Sequence, residues 1–200
     1  MKRLMIATTC CSLLLACGGE PRAGQPETGT TGTVQAASQT TPEAATTTGA
    51  SGGTVSDLPP EEKEFVANAG MVGLAEVQMG TLLLEKGVSG NVRAFAQTMV
   101  DDHSASNAEL AHLATAKGLA LPTELGGDSA AALEHLQSLS GGELDRAYMQ
   151  HMVADHETAV AMFDRASTST SDPDIKAYAV KNLPILRQHL AEAKDVARRM

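Results

Sequence analysis

The sequence predicts an all-α protein, a bundle of four long helices with a short extra helix in the connection between helices 2 and 3. Aromatic residues are scarce, with three Phe, two Tyr and no Trp, whereas Ala, Leu, Val and nine Met supply the apolar content. This composition suits helix–helix packing, because strands favour aromatic and β-branched side chains. From Leu58 onward, the apolar residues also recur with the period of a helix that buries one face.

The first residues have the pattern of a secretory signal. A basic start, Met1-Lys2-Arg3, precedes a mostly apolar stretch over residues 4–15, which is too short to span a membrane permanently. The stretch ends in Leu14-Leu15-Ala16-Cys17, which resembles the lipobox of bacterial lipoproteins. We therefore expect residues 1–16 to be a lipoprotein signal peptide. A plain signal peptide with an incidental cysteine is the alternative.

Lipidation of Cys17 would anchor the chain to a membrane of the cell envelope, because several acyl chains together make a stable anchor. Gly18 follows the cysteine, which in a diderm bacterium indicates the periplasmic face of the outer membrane. The other two cysteines, Cys10 and Cys11, lie within the signal. The folded part therefore contains neither a disulfide framework nor a thiolate metal site.

A tether is predicted between the lipidated cysteine and the folded part, over residues 17–57. Residues 18–57 hold ten Thr and eight Gly but no Leu, Ile, Met, Phe or Tyr. Such a segment cannot bury enough apolar surface to offset the entropy of ordering it. We expect a disordered spacer that carries a helical domain over residues 58–200.

Capping and breaking residues set the predicted helix boundaries. Pro59-Pro60-Glu61-Glu62 is a helix start, with proline and acidic residues in the first turn. Gly87, Gly118 and Gly141-Gly142 are breaks, and Ser171-Asp172-Pro173 caps the last helix. The predicted helices cover about 60–86, 91–117, 129–138 (the short one), 143–167 and 173–199.

Connection lengths predict how the helices are arranged. Short connections join helices 1 and 2, and helices 3 and 4, so that each pair forms an antiparallel hairpin. The longer connection, over residues 118–142, joins the two hairpins. A connection that crosses the bundle gives ferritin-like connectivity, and a plain up-down bundle is the alternative.

One pattern occurs twice in the domain. The residues at 93–103 and 146–156 share R-A-[FY]-x-Q-x-M-V-x-D-H. Together with other motifs, these segments resemble the DUF4142 family of exported bacterial proteins, and the resemblance covers about residues 61–197. It implies a ferritin-like helical fold and no settled activity. The motifs that carry it are Gly73–Val77, Phe95–His103, Leu121-Pro122, Tyr148–His156 and Leu183–Leu190.

Each long helix places one ionisable residue on its apolar face, and the hairpin registers put these residues at similar heights. Burial of four such groups without partners is costly, and a divalent transition metal would stabilise them together. One carboxylate and three imidazoles suit Zn, Fe or Cu. The predicted metal ligands are Glu76, His103, His156 and His189.

Four neighbouring residues are candidates for supporting this site. Asp102 and Asp155 precede two of the histidines and are expected to accept hydrogen bonds from ligand rings. Met99 and Met152 lie one turn earlier, and their thioethers would favour copper. The alternative is that the four buried groups hydrogen-bond to one another, or lie near the bundle ends in water, with the methionines as core filler.

Other functions find less support in the sequence. The net charge of -9 argues against a nucleic-acid partner. Ferroxidase or iron-storage activity is not indicated either, because the only Glu-x-x-His, Glu109–His112, puts His112 on the side of the helix away from the core. The sequence predicts a membrane-anchored envelope lipoprotein whose bundle core is a candidate site for a transition metal, and it leaves enzymatic activity uncertain, leaning against it. The alternative is a non-catalytic envelope protein for interaction or stress tolerance, and a redox enzyme would need an open coordination position beside a pocket.

Overall fold

The computed structural model describes residues 58–88 and 90–200, and the predicted signal peptide, Cys17 and the whole of the predicted tether lie outside them. The described part is a bundle of five helices without a strand, so the prediction of an all-α bundle with a short extra helix is confirmed. None of these helices is long and apolar enough to cross a membrane. The helices are α1 Pro60–Glu85, α2 Gly90–Ala116, the short α3 Gly127–Ser138, α4 Gly141–Ser169 and α5 Pro173–Arg198.

Local sequence explains most of the boundaries. Gly87 and Gly118 adopt φ angles of 74° and 65° just after α1 and α2, a conformation that glycine reaches without steric cost. The Asp172 side chain accepts hydrogen bonds from the backbone N–H groups of Asp174 and Ile175 and so caps α5. One prediction was wrong: Gly141-Gly142 does not separate two helices but forms the first turn of α4. The break between α3 and α4 lies at Leu139 and Ser140, which are extended.

Contacts at the two ends of the bundle establish the connectivity. At one end, Lys117 follows α2, and its Nζ lies 2.7 Å from carboxylate oxygens of both Asp172 and Asp174, where α4 turns into α5. At the other end, Nζ of Lys86, just after α1, donates to the carbonyl oxygen of Leu139, just before α4, at 2.7 Å. The connection that contains α3 therefore runs the full length of the bundle. This is the ferritin-like arrangement and not the plain up-down bundle.

A polar layer divides the apolar core into two halves. The helices form two hairpins, α1 with α2 and α4 with α5, and α1 also packs on α4 and α2 on α5. One apolar cluster fills the half that contains the α4–α5 turn, and a second fills the half that contains the start of α4. On α2, for example, His103 lies between Met99 of the second cluster and Leu110 of the first. The four predicted ionisable residues therefore meet halfway along the bundle, away from both ends.

Candidate metal centre

The structure brings the four predicted residues together in the polar layer. Glu76 and His156 are fully buried, and His189 and His103 retain 1% and 6% of their exposure. The three imidazole rings have centroids 5.3 to 5.8 Å apart. One ring nitrogen from each histidine lies within 4.8 Å of the others. Three side chains from three helices thus surround a common point, which is the geometry of a metal site in a bundle core.

In each ring, one nitrogen has a partner and the other has none among the described residues. Nδ1 of His103 lies 2.8 Å from a Glu76 oxygen, Nδ1 of His156 lies 2.9 Å from the carbonyl oxygen of Met152, and Nε2 of His189 lies 2.9 Å from an Asp102 oxygen. The partnerless nitrogens are Nε2 of His103, Nε2 of His156 and Nδ1 of His189. Metal-binding histidines usually show this division, because a partner on the outer nitrogen fixes the ring and its tautomer.

Glu76 has a different position from the one that the sequence suggested. Its carboxylate oxygens lie 2.8 Å from Nδ1 of His103 and 3.3 Å from Nδ1 of His156. Neither oxygen makes a hydrogen bond of good geometry with the described residues. Glu76 does not belong to the group of ligand atoms that lie within 4.8 Å of one another. The geometry therefore makes Glu76 the residue that orients two rings, and leaves the three histidines as the candidate ligands.

Burial keeps the imidazoles neutral at pH 7. It lowers the pKa of His103 to about 4, and it also lowers the pKa values of His156 and His189. The nearby carboxylates oppose these shifts only in part. Neutral imidazole is the form that binds a metal ion, so the site needs to lose no proton from these rings at neutral pH.

Two carboxyl groups share the polar layer. Burial raises the pKa of Glu76, and the His156 imidazole opposes that shift. Burial also raises the pKa of the adjacent Asp155 to about 7, and the charge of Glu76 contributes to the increase. Two neighbouring buried carboxyl groups do not readily ionise together, so Asp155 is only partly ionised near neutral pH.

The supporting residues divide into two kinds. Asp102 accepts a hydrogen bond from a histidine, but from His189 on α5 and not from its own neighbour His103. Met99 and Met152 are fully buried in the second apolar cluster, and Met152 reaches the site through its backbone carbonyl oxygen. His112 is exposed, as its position on α2 predicted.

A small cavity beside two of the histidines was missed by the sequence analysis. It has a volume of about 30 Å³, and both His103 and His189 line it. The sequence could have indicated it, because the lining residues of α2 and α5 lie on the same helix faces as His103 and His189, at intervals of three or four residues. Its polar lining also includes Asp102, Ser106, Asn107, Tyr178 and Asn182.

Comparison with known proteins places the chain in a family. The model of the family described as "Domain of unknown function (DUF4142)" matches residues 37–196. The chain belongs to the DUF4142 family. The DUF4142 match covers the polar layer and begins within the predicted tether, and the resemblance seen in the sequence is thereby confirmed. None of the curated proteins matches this chain.

The fold is similar to that of a solved structure, the crystal structure of a DUF305 fragment from Deinococcus radiodurans. The TM-score is 0.64 at 17% sequence identity, over 72% of this chain and 99% of the DUF305 chain. At this identity, the similarity concerns the fold. It supports the helical arrangement of the DUF4142 domain and assigns no activity to it.

Proposed function

We propose that this DUF4142 protein binds one divalent transition metal ion through His103, His156 and His189, and that Cys17 holds it at an envelope membrane. The observation that carries the metal proposal is the convergence of three buried ring nitrogens, one from each histidine, within 4.8 Å. Each of the three rings also has one buried nitrogen without a hydrogen-bond partner among the described residues. The protein would then bind or retain a metal ion in the envelope.

The chemistry of the donor atoms supports an ion at this point. A buried polar atom without a partner costs about 1–3 kcal/mol, and each of the three rings has one such atom. A single ion would satisfy all three, since each neutral imidazole offers it a lone pair. Three imidazole nitrogens suit Zn²⁺, Cu²⁺ or Fe²⁺, and among these Cu²⁺ forms the strongest complexes with such ligands.

Metal titration of the full-length chain, purified in detergent and stripped with a chelator, tests this proposal. We expect one zinc or copper ion per chain after desalting, and a higher melting temperature. His156→Gln, which replaces a ring with no exposure, should reduce the retained metal below one-tenth. His112→Gln, an exposed histidine on α2, is the matched control and should retain it. A wild-type chain that remains metal-free, with an unchanged melting temperature, would contradict the proposal.

The anchor is tested separately. In a bacterial host, Cys17→Ser should abolish incorporation of labelled fatty acid and release the protein from the membrane fraction. Cys11→Ser, within the predicted signal, is the control and should leave both unchanged. Equal labelling of the Cys17→Ser variant and the wild type would rule out Cys17 as the lipidation site.

A further inference from the structure

The cavity of the polar layer touches the candidate metal site on one side only. His103 and His189 line it, but His156 does not. His103 is 6% exposed, and its Nε2 has no partner among the described residues. The volume of about 30 Å³ has room for roughly one or two water-sized molecules. The cavity thus borders two of the three candidate ligand side chains.

Most polar groups along the cavity already have partners. The Ser106 hydroxyl lies 2.8 Å from the Tyr178 hydroxyl and donates to Oδ1 of Asn182 at 3.1 Å. Nδ2 of Asn182 donates to the backbone carbonyl oxygen of Tyr178 at 2.9 Å. The side-chain amide of Asn107 differs, because it makes no hydrogen bond within residues 58–88 and 90–200. It is therefore available to a molecule in the cavity.

A glycine on α1 makes room for this amide. A Cβ atom added to Gly73 would lie 1.9 Å from Oδ1 of Asn107 and 2.9 Å from its Cγ. Any larger residue at position 73 must therefore displace the Asn107 side chain. Gly73 also lines the cavity, so the displaced amide would change the space beside the histidines.

We infer that an ion held by the three histidines keeps one exchangeable coordination position, which faces this cavity and takes a water-sized ligand that hydrogen-bonds to the Asn107 amide. This inference rests on the proposed metal binding. Three protein ligands leave a fourth position of a tetrahedral ion for water or another small molecule. The size of the cavity limits that molecule to about the volume of water, hydroxide or fluoride.

Fluoride is the probe for this position. The full-length chain is loaded with one equivalent of copper(II), and its electron paramagnetic resonance spectrum is recorded during titration with sodium fluoride and, separately, sodium acetate. We expect fluoride to add fluorine splitting to the copper signal, and acetate, which is larger than the cavity, to leave the spectrum unchanged. A copper signal that fluoride does not change, or that acetate changes equally, would overturn the inference and leave the metal proposal standing.

Glycine variants of α1 test the role of the cavity. Gly73→Ala should still bind one copper ion but bind fluoride about tenfold more weakly, the loss expected for one hydrogen bond. Gly70→Ala, one turn away, is the matched control, because its Cβ would meet only side-chain atoms at 3.2 Å or more. Asn107→Ala should also weaken fluoride binding, and it should admit acetate. Unchanged fluoride affinity in both Gly73→Ala and Asn107→Ala would exclude the amide contact, and a wild type that takes up neither copper nor zinc would remove both proposals.

Discussion

Oδ2 of Asp102 on α2 accepts a hydrogen bond from Nε2 of His189 on α5, with 2.9 Å between the two atoms. The bond joins helices from different hairpins, and it leaves Nδ1 of His189 as the ring nitrogen without a partner among the described residues. It also opposes the effect of burial on the pKa of His189. Asp102 therefore sets which nitrogen of His189 can bind an ion.

The Asp102→Asn variant should bind metal about 10-fold more weakly, because a neutral amide oxygen is a weaker acceptor for a metal-bound histidine than a carboxylate. Its stability without metal should change little, because the Asp102 side chain is 49% exposed. Competition titrations against a chelator give the affinity. Asp101→Asn is the control, because Asp101 is an exposed neighbour that accepts a hydrogen bond from Gln97 on the same helix. Equal affinities of the two variants would contradict the role of Asp102.

Glu76→Gln distinguishes a residue that orients the rings from a ligand. Because Glu76 contacts the partnered nitrogens of His103 and His156, its amide replacement should weaken metal binding by about 10- to 100-fold without abolishing it. His156→Gln, which removes a candidate ligand, should lower the affinity much further. Isothermal titration of both variants gives the comparison. Complete loss of binding in Glu76→Gln would restore this carboxylate to the ligand set.

The carboxyl group of Asp155 should make the metal-free protein less stable at neutral and higher pH than in acid. Its folded-state pKa is raised from 3.8 to about 7, so the folded state binds more protons, and stability falls as the pH rises between these values. Asp155→Asn removes this loss. Urea unfolding in the presence of a chelator should show the variant a few kcal/mol more stable than the wild type at pH 8 and nearly equal at pH 4. The same advantage at both pH values would show that Asp155 does not titrate as described.

His103 has the opposite pH dependence. Its folded-state pKa falls from 6.5 to about 4, so the unfolded state binds more protons in that window. Its contribution is fully present above pH 6.5 and is lost as the pH falls to 4, by roughly 3 kcal/mol. In urea unfolding with a chelator present, the His103→Gln variant should not show this loss of stability in acid. Asp155 stabilises the folded protein in acid, whereas His103 destabilises it there. The Asp155→Asn and His103→Gln variants therefore separate two effects that oppose each other in the wild type.

The contact of Glu62 with the α4–α5 turn should matter for folding and not for metal binding. Its Oε1 accepts hydrogen bonds from the backbone N–H and the hydroxyl of Ser171, at 2.6 and 2.7 Å. Glu62→Ala leaves these donors without their acceptor and should cost roughly 3 kcal/mol. The exposed Glu61 provides the control, Glu61→Ala. A metal affinity that falls in proportion to stability would show that this end of the bundle is coupled to the candidate metal site.

Much of the fold was readable from the sequence because helix signals are local. Pro60 and the Asp172 cap mark the starts of α1 and α5 to the residue. The start of α4 was misplaced because glycine, usually a breaker, here supplies the positive φ of 55° at Gly141, the first residue of the helix. Which of two bundle topologies forms was left open, because it depends on contacts between distant residues, such as Lys86 with Leu139.

The site was predicted only in part, for a geometric reason. Helical period and loop length put the three histidines and Glu76 near one level, and the structure does bring them together. They do not determine which ring nitrogen faces the centre, because that depends on side-chain rotamers and on partners from other helices, such as Asp102 for His189. The cavity residue Asn107 was within reach, since it lies one turn after His103 on the same helix face.

The full-length connection between the hairpins has a consequence for assembly. The α1–α2 hairpin carries His103, whereas the α4–α5 hairpin carries His156 and His189. Neither hairpin alone owns a complete set of rings, so the trio exists only after the two halves have docked. An ion that binds the docked form and not the separate halves shifts that equilibrium by mass action. The concentration of available metal would then set the fraction of molecules in which the two hairpins are docked.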